Sequence, residues 1–372
     1  MTEQNGSGPA EQSGQLRLEA AVAGGGGVVS EGSSMFKERS RMLPGGGATE
    51  SRTSRWVGVG AGRKPQVKAW TEAEAEREAE RLIRVGLHPR TDLLIWLLRD
   101  FIALTEERLY VLDGTSSTYG TFTKRLGEFR QGGICDLAAE NVVSVDLRRS
   151  GLKPMLADNR RAYRVWTLGP VGRAISRKLW DVTLAPVGSE IHLAHHALAG
   201  EVLYRYVDYL AKNDGRRFEA LGPQQAVIWD FERRVMELSP DGMLVEVRED
   251  GTKGDCRVLE FHNELSPGRA LSKIKGYDQI ISDPAAREKW QYAWGIETRP
   301  YVIVVYRHDG IRKDYERQLV ATAKERTELY GATNLIQFKL ISVQEVLKGN
   351  PVKGLYSPSQ PSAPAPTAGR PA

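Results

Sequence analysis

The stretch Tyr301–Tyr306 (Tyr-Val-Ile-Val-Val-Tyr) constrains the fold more than any other. Its four successive β-branched residues lose χ1 freedom against a helical turn and favour a strand. The run is apolar on both faces, so it is expected at the middle of a sheet covered on both sides. Covering it takes helices, and two candidates flank it. Gly268–Ile281 carries Leu271, Ile274 and Ile280, and Ile311–Leu329 places Leu319 and Ala323 inside. Upstream, Asp241–Val247 and Arg257–Phe261 read as strands around the turn residues Asp250-Gly251 and Lys253-Gly254. Downstream, Asn334–Ile341 reads as a last strand and Val343–Leu347 as a short helix. Before the hairpin, His192–Ala211 is an amphipathic helix burying Leu198, Val202, Leu203, Tyr206 and Leu210. Ala226–Leu238 reads as a helix or a helix–strand junction. Hairpin, helix, strand, helix, strand predicts a mixed α/β sheet with helices on its faces.

The part before residue 186 reads as a succession of helices. Thr71-Glu72-Ala73-Glu74 is a capping box, and the charged helix it opens stops at Gly86. A buried helix follows Pro89 and Thr91, with Leu93, Leu94, Trp96, Leu97, Leu98 and Phe101. Thr105 caps a short helix over 106–112, and Ser117–Arg130 is a fourth. In the fourth, Tyr119, Phe122, Leu126 and Phe129 share one face, and Lys124, Arg125 and Arg130 fall outside it. Gly132-Gly133 ends it. A strand follows over Ile134–Leu137 or Val142–Leu147, then another over 163–167. The loop between them is basic, with Arg148, Arg149, Lys153, Arg160 and Arg161, and Gly169–Trp180 reads as a closing helix with Arg173, Arg177 and Lys178. Three short helices and a basic-tipped hairpin are the order of a winged helix-turn-helix, whose last helix enters the major groove while the wing touches backbone. The contact residues expected are Thr118, Thr121, Lys124, Arg125 and Arg130 on the helix and Arg160 and Arg161 on the wing. A helical scaffold with solvated basic faces is the alternative.

The net charge of +5 is modest for 372 residues, but its placement is uneven. Between positions 37 and 68, Lys37, Arg39, Arg41, Arg52, Arg55, Arg63, Lys64 and Lys68 face only Glu38 and Glu50. Residues 1–70 have too little apolar periodicity to offset their ordering entropy, which predicts a disordered basic arm suited to nucleic-acid phosphate. Six prolines over 351–372 predict a disordered tail. The expected domains are therefore 1–70, 71–185, 186–350 and 351–372. Two distant cysteines, Cys135 and Cys256, exclude a disulfide framework and a four-thiolate zinc site. A reducing, cytoplasmic setting with no membrane span is expected.

Pro240-Asp241 followed by Glu260-Phe261-His262 carries the chemistry. A metal-dependent nuclease core sets an Asp on the first strand of a hairpin and an acid, one spacer and a Lys at the end of the second. Alternation puts the acid and the residue two later on the same face. Two carboxylates hold Mg²⁺ while the third group positions or deprotonates water. The third position here is His262, with Lys273 or Lys275 of the next helix as sources of the missing charge and Glu264 as a further acid. The expected centre is Asp241, Glu260, His262 and Lys273, with Asp241 and Glu260 as Mg²⁺ ligands. The alternatives are a turn role for Asp241 and an ion pair between Glu260 and Lys273. His192, His195 and His196 lack the acidic partner of a metalloprotease helix, and His192 is expected to pack or cap near the domain junction. Tyr204, Tyr206 and Tyr209 near these histidines only superficially suggest a tyrosine relaxase.

Taken together, these motifs resemble the replication-relaxation family, proteins of actinobacterial and other bacterial plasmids and integrative elements. The resemblance covers residues 90–350. It rests on Phe122-Thr123-Lys124-Arg125-Leu126 with Gly132-Gly133, on Tyr163-Arg164-Val165-Trp166-Thr167-Leu168-Gly169, and on His192-Leu193. It continues through Trp229-x-x-Glu232, Pro240-Asp241-Gly242, Val258-Leu259-Glu260, Leu271-x-Lys273-Ile274-x-x-Tyr277 and Gly349 to Tyr356. It implies a winged helix joined to a restriction-endonuclease-like, PD-(D/E)xK-type α/β core. It implies a role in plasmid replication, DNA relaxation or mobilisation, with double-stranded DNA, replication or conjugation proteins and a second copy as partners. The readings that follow are a DNA-binding factor of a mobile element, an active Mg²⁺-dependent endonuclease or nickase, and a regulator without catalysis. The family pattern has a second acid where this chain has His262.

Overall fold

The computed structural model describes residues 67–114, 118–139, 142–152, 163–184, 189–230, 233, 235–263, 268–330, 337–349 and 351. The basic residues at 37–64, the wing residues Lys153, Arg160 and Arg161, Phe231, Glu232, Glu264, Tyr356 and most of the proline-rich tail lie outside them.

The described residues form a mixed α/β fold. Helix α1 (Glu72–Val85) opens on the expected capping box, Thr71 and Glu74 bonding each other's backbone amides, and ends at Gly86. Helix α2 (Pro89–Phe101) is apolar almost all round and buried along most of its length. A three-residue strand that the sequence pattern conceals, β1 (Ala103–Thr105), leads into α3 (Glu106–Asp113), capped by Thr105. Helix α4 (Tyr119–Gln131) is capped by Thr118 and precedes β2 (Cys135–Ala139). Val142–Leu147, one of the two strand options, is instead helical and belongs to α5 (Val142–Arg149). The strand signal there came from its valines, whose β preference is overridden by tertiary context. Strand β3 (Val165–Leu168) pairs antiparallel with both β1 and β2, giving the order β1-β3-β2. Helix α6 (Pro170–Trp180) packs so closely that a Cβ on Gly172 would lie 2.1 Å from the Ile134 carbonyl oxygen.

Helix α7 (Glu190–Asp214) buries the five residues expected of it. It is followed by β4 (Phe218–Leu221), β5 (Ile228–Asp230), β6 (Val235–Leu238), β7 (Gly242–Val247) and β8 (Lys253–His262). The segment 226–238 is thus an antiparallel hairpin, β5–β6, and not a helix. Its short apolar stretches are too brief to select a period. Then come α8 (Arg269–Tyr277), α9 (Arg287–Trp294), β9 (Tyr301–Tyr306), α10 (Asp309–Tyr330), β10 (Phe338–Ser342) and α11 (Val343–Leu347). The five-stranded sheet runs β10-β9-β8-β7-β4, parallel across β10, β9 and β8 and antiparallel across β8, β7 and β4. Strand β9 lies inside it with Val302–Val305 fully buried, as its unbroken apolar run requires.

Alternation splits the sheet's side chains between two cores. Leu244, Leu259, Phe261, Ile303 and Val305 face α7. Met243, Val245, Val258, Val302 and Val304 face α8, α9 and α10. The first core also takes in α2, α4, β3 and α6, so buried apolar contact runs unbroken across the expected boundary at residue 185. Buried polar groups reinforce that junction. Arg108 of α3, 1% exposed, forks onto Glu201 of α7 at 3.0 and 2.9 Å and reaches Asp208 at 3.3 Å. Asp100 at the end of α2 accepts the Gly222 amide at 2.7 Å and the Gln225 amide at 3.2 Å. Burial pushes its carboxyl up to about 7, against those two bonds. Both cysteines are buried, and among the described residues no helix is long and apolar enough to cross a membrane.

Candidate DNA interface and carboxylate centre

Of the expected contact residues, Thr121 and Lys124 lie on the exposed face of α4, beside the cap residue Thr118. Two others are engaged within the fold. Arg125 turns inward to Asp113 at 3.0 Å, and Arg130 lies 3.4 Å from Asp136. Neither is a free cation, because each stands within reach of an acid that sequence spacing does not reveal. The basic face of α6 is likewise neutralised. Arg177 and Lys178 pair with Glu76, and Lys178 also with Glu80, of α1. Glu72, Glu76 and Glu80 recur every fourth residue, so the acidic stripe of α1 meets the basic end of α6. Arg148 stacks over Tyr163 while Arg149 is exposed.

The second cluster forms where β8 ends and β7 begins. Strand β7 starts at Gly242, and Asp241 extends its pairing with β8 through its own backbone and side chain. Its amide donates to the Leu259 carbonyl (3.1 Å), and its Oδ2 accepts the Phe261 amide (2.8 Å). Its Oδ1 lies 2.8 Å from His195 Nε2, brought by α7 on the first-core face. Glu260, 0% exposed, lies on the other face. Its Oε1 accepts Lys273 Nζ at 2.7 Å and the Tyr277 hydroxyl, both from α8. Lys273 also donates to the Ser239 carbonyl at 3.2 Å. Lys275, its near neighbour in sequence, points elsewhere and lies 3.5 Å from Glu325. His262 is buried with Nε2 3.1 Å from the Tyr315 hydroxyl of α10 and 3.9 Å from Glu260 Oε2. That Oε2 is buried and has no hydrogen-bond partner.

The electrostatics differ between the two acids. Burial opposes the charge of Asp241, but His195, Lys273 and the Phe261 amide outweigh it and hold the carboxyl at about 2. Burial dominates at Glu260 and pushes its carboxyl up despite Lys273 and Tyr277. Burial drives His262 down to about 3, with the Arg269 charge acting in the same direction, so this imidazole is neutral at pH 7. His196, beside His195, falls to about 4 for the same principal reason. The centre thus pairs an ionised Asp with a buried Glu touching a lysine.

Of the four expected residues, Glu260, His262 and Lys273 come together on one face, Asp241 bonds the β8 backbone beside them but turns its side chain to His195, and the ion pair weighed for Glu260 and Lys273 is present. Three more were missed. His195 belonged to a histidine cluster with no visible partner, because Asp241 meets it only across the fold. Tyr277 carries a signal, four residues after Lys273 and hence on the same helix face. Tyr315 lies four residues before the buried Leu319 and has no local chemical mark. His192, expected to pack or cap, is exposed in the first turn of α7, where its amide donates to the Ser189 hydroxyl. Among the described residues no three His, Cys, Asp or Glu side chains are grouped as a metal site. No protein-family model, curated protein or solved structure matches the chain.

Proposed function

We propose that the chain is a double-stranded-DNA-binding protein of a plasmid or other mobile element, acting in replication, DNA relaxation or mobilisation. It contacts DNA through a winged helix and carries a restriction-endonuclease-like core. The observation that carries this reading is the unit α2–β1–α3–α4–β2–α5–β3 with sheet order β1-β3-β2, in which α5 stands between the two hairpin strands and Thr121 and Lys124 of α4 face solvent. A helix presented in this way fits a major groove. Fluorescence anisotropy with duplex DNA across a salt series tests it. The Lys124→Ala chain should bind more weakly, and its plot of log affinity against log salt should be flatter by about one unit. An unchanged slope removes α4 from the interface.

A second reading, Mg²⁺-dependent strand cleavage, is favoured by the unpartnered Glu260 Oε2 beside Lys273. An unsatisfied buried carboxylate oxygen is a hard donor of the kind Mg²⁺ takes, completed by water, and Asp241, whose oxygens bond His195 and the Phe261 amide, would turn from His195 to share the ion. Asp241 and Glu260 would hold the ion, which supplies Lewis-acid polarisation and activation of water. Lys273 offsets the carboxylate charge and stands ready to hold a phosphate oxygen, Tyr277 orients Glu260, and His195 orients Asp241. Supercoiled plasmid incubated with Mg²⁺ should be nicked by the native chain and left intact by Glu260→Ala. No nicking by the native chain at any excess leaves DNA binding alone.

A further inference from the structure

We propose that the β5–β6 hairpin is a base-stacking element, in which Trp229, backed by Met236, stacks on a nucleobase of DNA lying at the carboxylate centre. This rests on the DNA-binding reading above. Trp229 and Met236 are direct cross-strand partners, and both stand out from the ribbon, 43% and 54% exposed. Cross-strand partners share a face, so they form one apolar step, with the exposed Val235 beside Met236 in the chain. An exposed Trp–Met pair on a two-stranded ribbon contributes little to the stability of the fold, and its neighbours Ile228 and Leu238 do the core packing.

Three observations select a nucleobase as the occupant. The hairpin runs directly into the centre: β6 ends at Leu238, Ser239 offers its carbonyl to Lys273, and Asp241 follows. A strand of DNA at the partly exposed Asp241 therefore passes within reach of the hairpin. The apolar step also lies beside Arg233 at the turn, 78% side-chain exposed and only loosely held at 3.8 Å by Asp230, whereas Lys289 of α9 is engaged by Asp230 and Glu237. An aromatic ring beside a largely exposed guanidinium is an arrangement that takes a base on the ring and a phosphate on the charge. Finally, three side chains are far less than the roughly 800 Å² per partner that a stable protein interface buries.

The test measures affinity for duplex and for single-stranded oligonucleotides by anisotropy over a salt series. Trp229→Ala should weaken binding about tenfold, with the salt slope unchanged, because stacking displaces no counterions. Trp229→Phe should retain most of the affinity, which also guards against loss of folding in the alanine variant. Unchanged affinity in Trp229→Ala while the native chain binds DNA overturns the stacking proposal and leaves the DNA-binding reading intact. Loss of native self-association in sedimentation, without loss of DNA affinity, assigns the hairpin to a protein contact instead and likewise overturns it. A native chain that binds no DNA overturns both.

Discussion

Replacing Arg108 by alanine is expected to destabilise the folded chain by about 3–5 kcal/mol. The guanidinium is buried and satisfies both oxygens of Glu201, itself buried, in a forked pair. Native Glu201 is held at about 2, because Arg108 and then Arg205 outweigh the cost of its burial. Alanine leaves that charge with Arg205 alone, bonded to one oxygen at 2.7 Å. The penalty is desolvation of the abandoned carboxylate more than the lost attraction. Urea unfolding of both chains at pH 7 measures it. A loss below about 1 kcal/mol would show that water reaches Glu201 and that the pair is no structural joint. Arg108→Met combined with Glu201→Leu should recover much of the loss, because a buried pair is commonly replaceable by apolar groups of similar volume. Function follows stability here. Helix α3 directly precedes α4, so the Arg108–Glu201 fork sets how α4, with its exposed Thr121 and Lys124, is carried on α7.

The second large effect is expected from Lys273→Met, and it should depend on pH. Glu260 is buried and its carboxyl is already raised above the unfolded value of 4.5. For a group raised in this way, the stability it contributes is complete below about 4.5 and is lost as pH rises through the folded value. Removing the lysine takes away the strongest influence that lowers this carboxyl, so the folded value climbs further. The variant and the native chain should differ little near pH 4.5. The gap should widen toward pH 8, to about 3 kcal/mol, where the variant must bury an unpaired carboxylate or take up a proton. Denaturant midpoints at the two pH values give the result. A gap equal at both would mean that Glu260 stays protonated throughout and that Lys273 acts only through packing. The same variant should fail to nick plasmid even where it is folded, near pH 6.

Much of the local structure was legible from short-range signals. Thr71 and Thr105 each cap the helix they were expected to cap, because an N-cap is a bond between residues three apart. The Gly132-Gly133 stop and the Asp250-Gly251 turn follow from backbone freedom alone, with Gly133 and Gly251 both at positive φ. Errors arose where local preference was weak or the decisive partner was distant. The valines of α5 argued for a strand, and the segment is a helix. Strand β1 has three residues, too few to show any period. Arg125 and Arg130 looked free because Asp113 and Asp136 meet them through folding.

The candidate centre divides in the same way. Asp241, Glu260 and His262 could be selected from the sequence because alternation along a strand and hairpin pairing are periodic. Lys273 could be named as a source of charge, but choosing it over Lys275 required the orientation of α8, two residues and about 200° of helix rotation apart. His195 and Tyr315 come from helices on opposite faces of the sheet, and no one-dimensional pattern links them to β8. By itself the sequence determined the longer helices and the central strands, which faces are apolar, and that carboxylates sit at a strand end, since these follow from period, capping and turn chemistry. Tertiary structure alone decided which charges are spent on internal pairs and which remain for a partner, because pairing depends on distance in space and burial changes the strength of every charge.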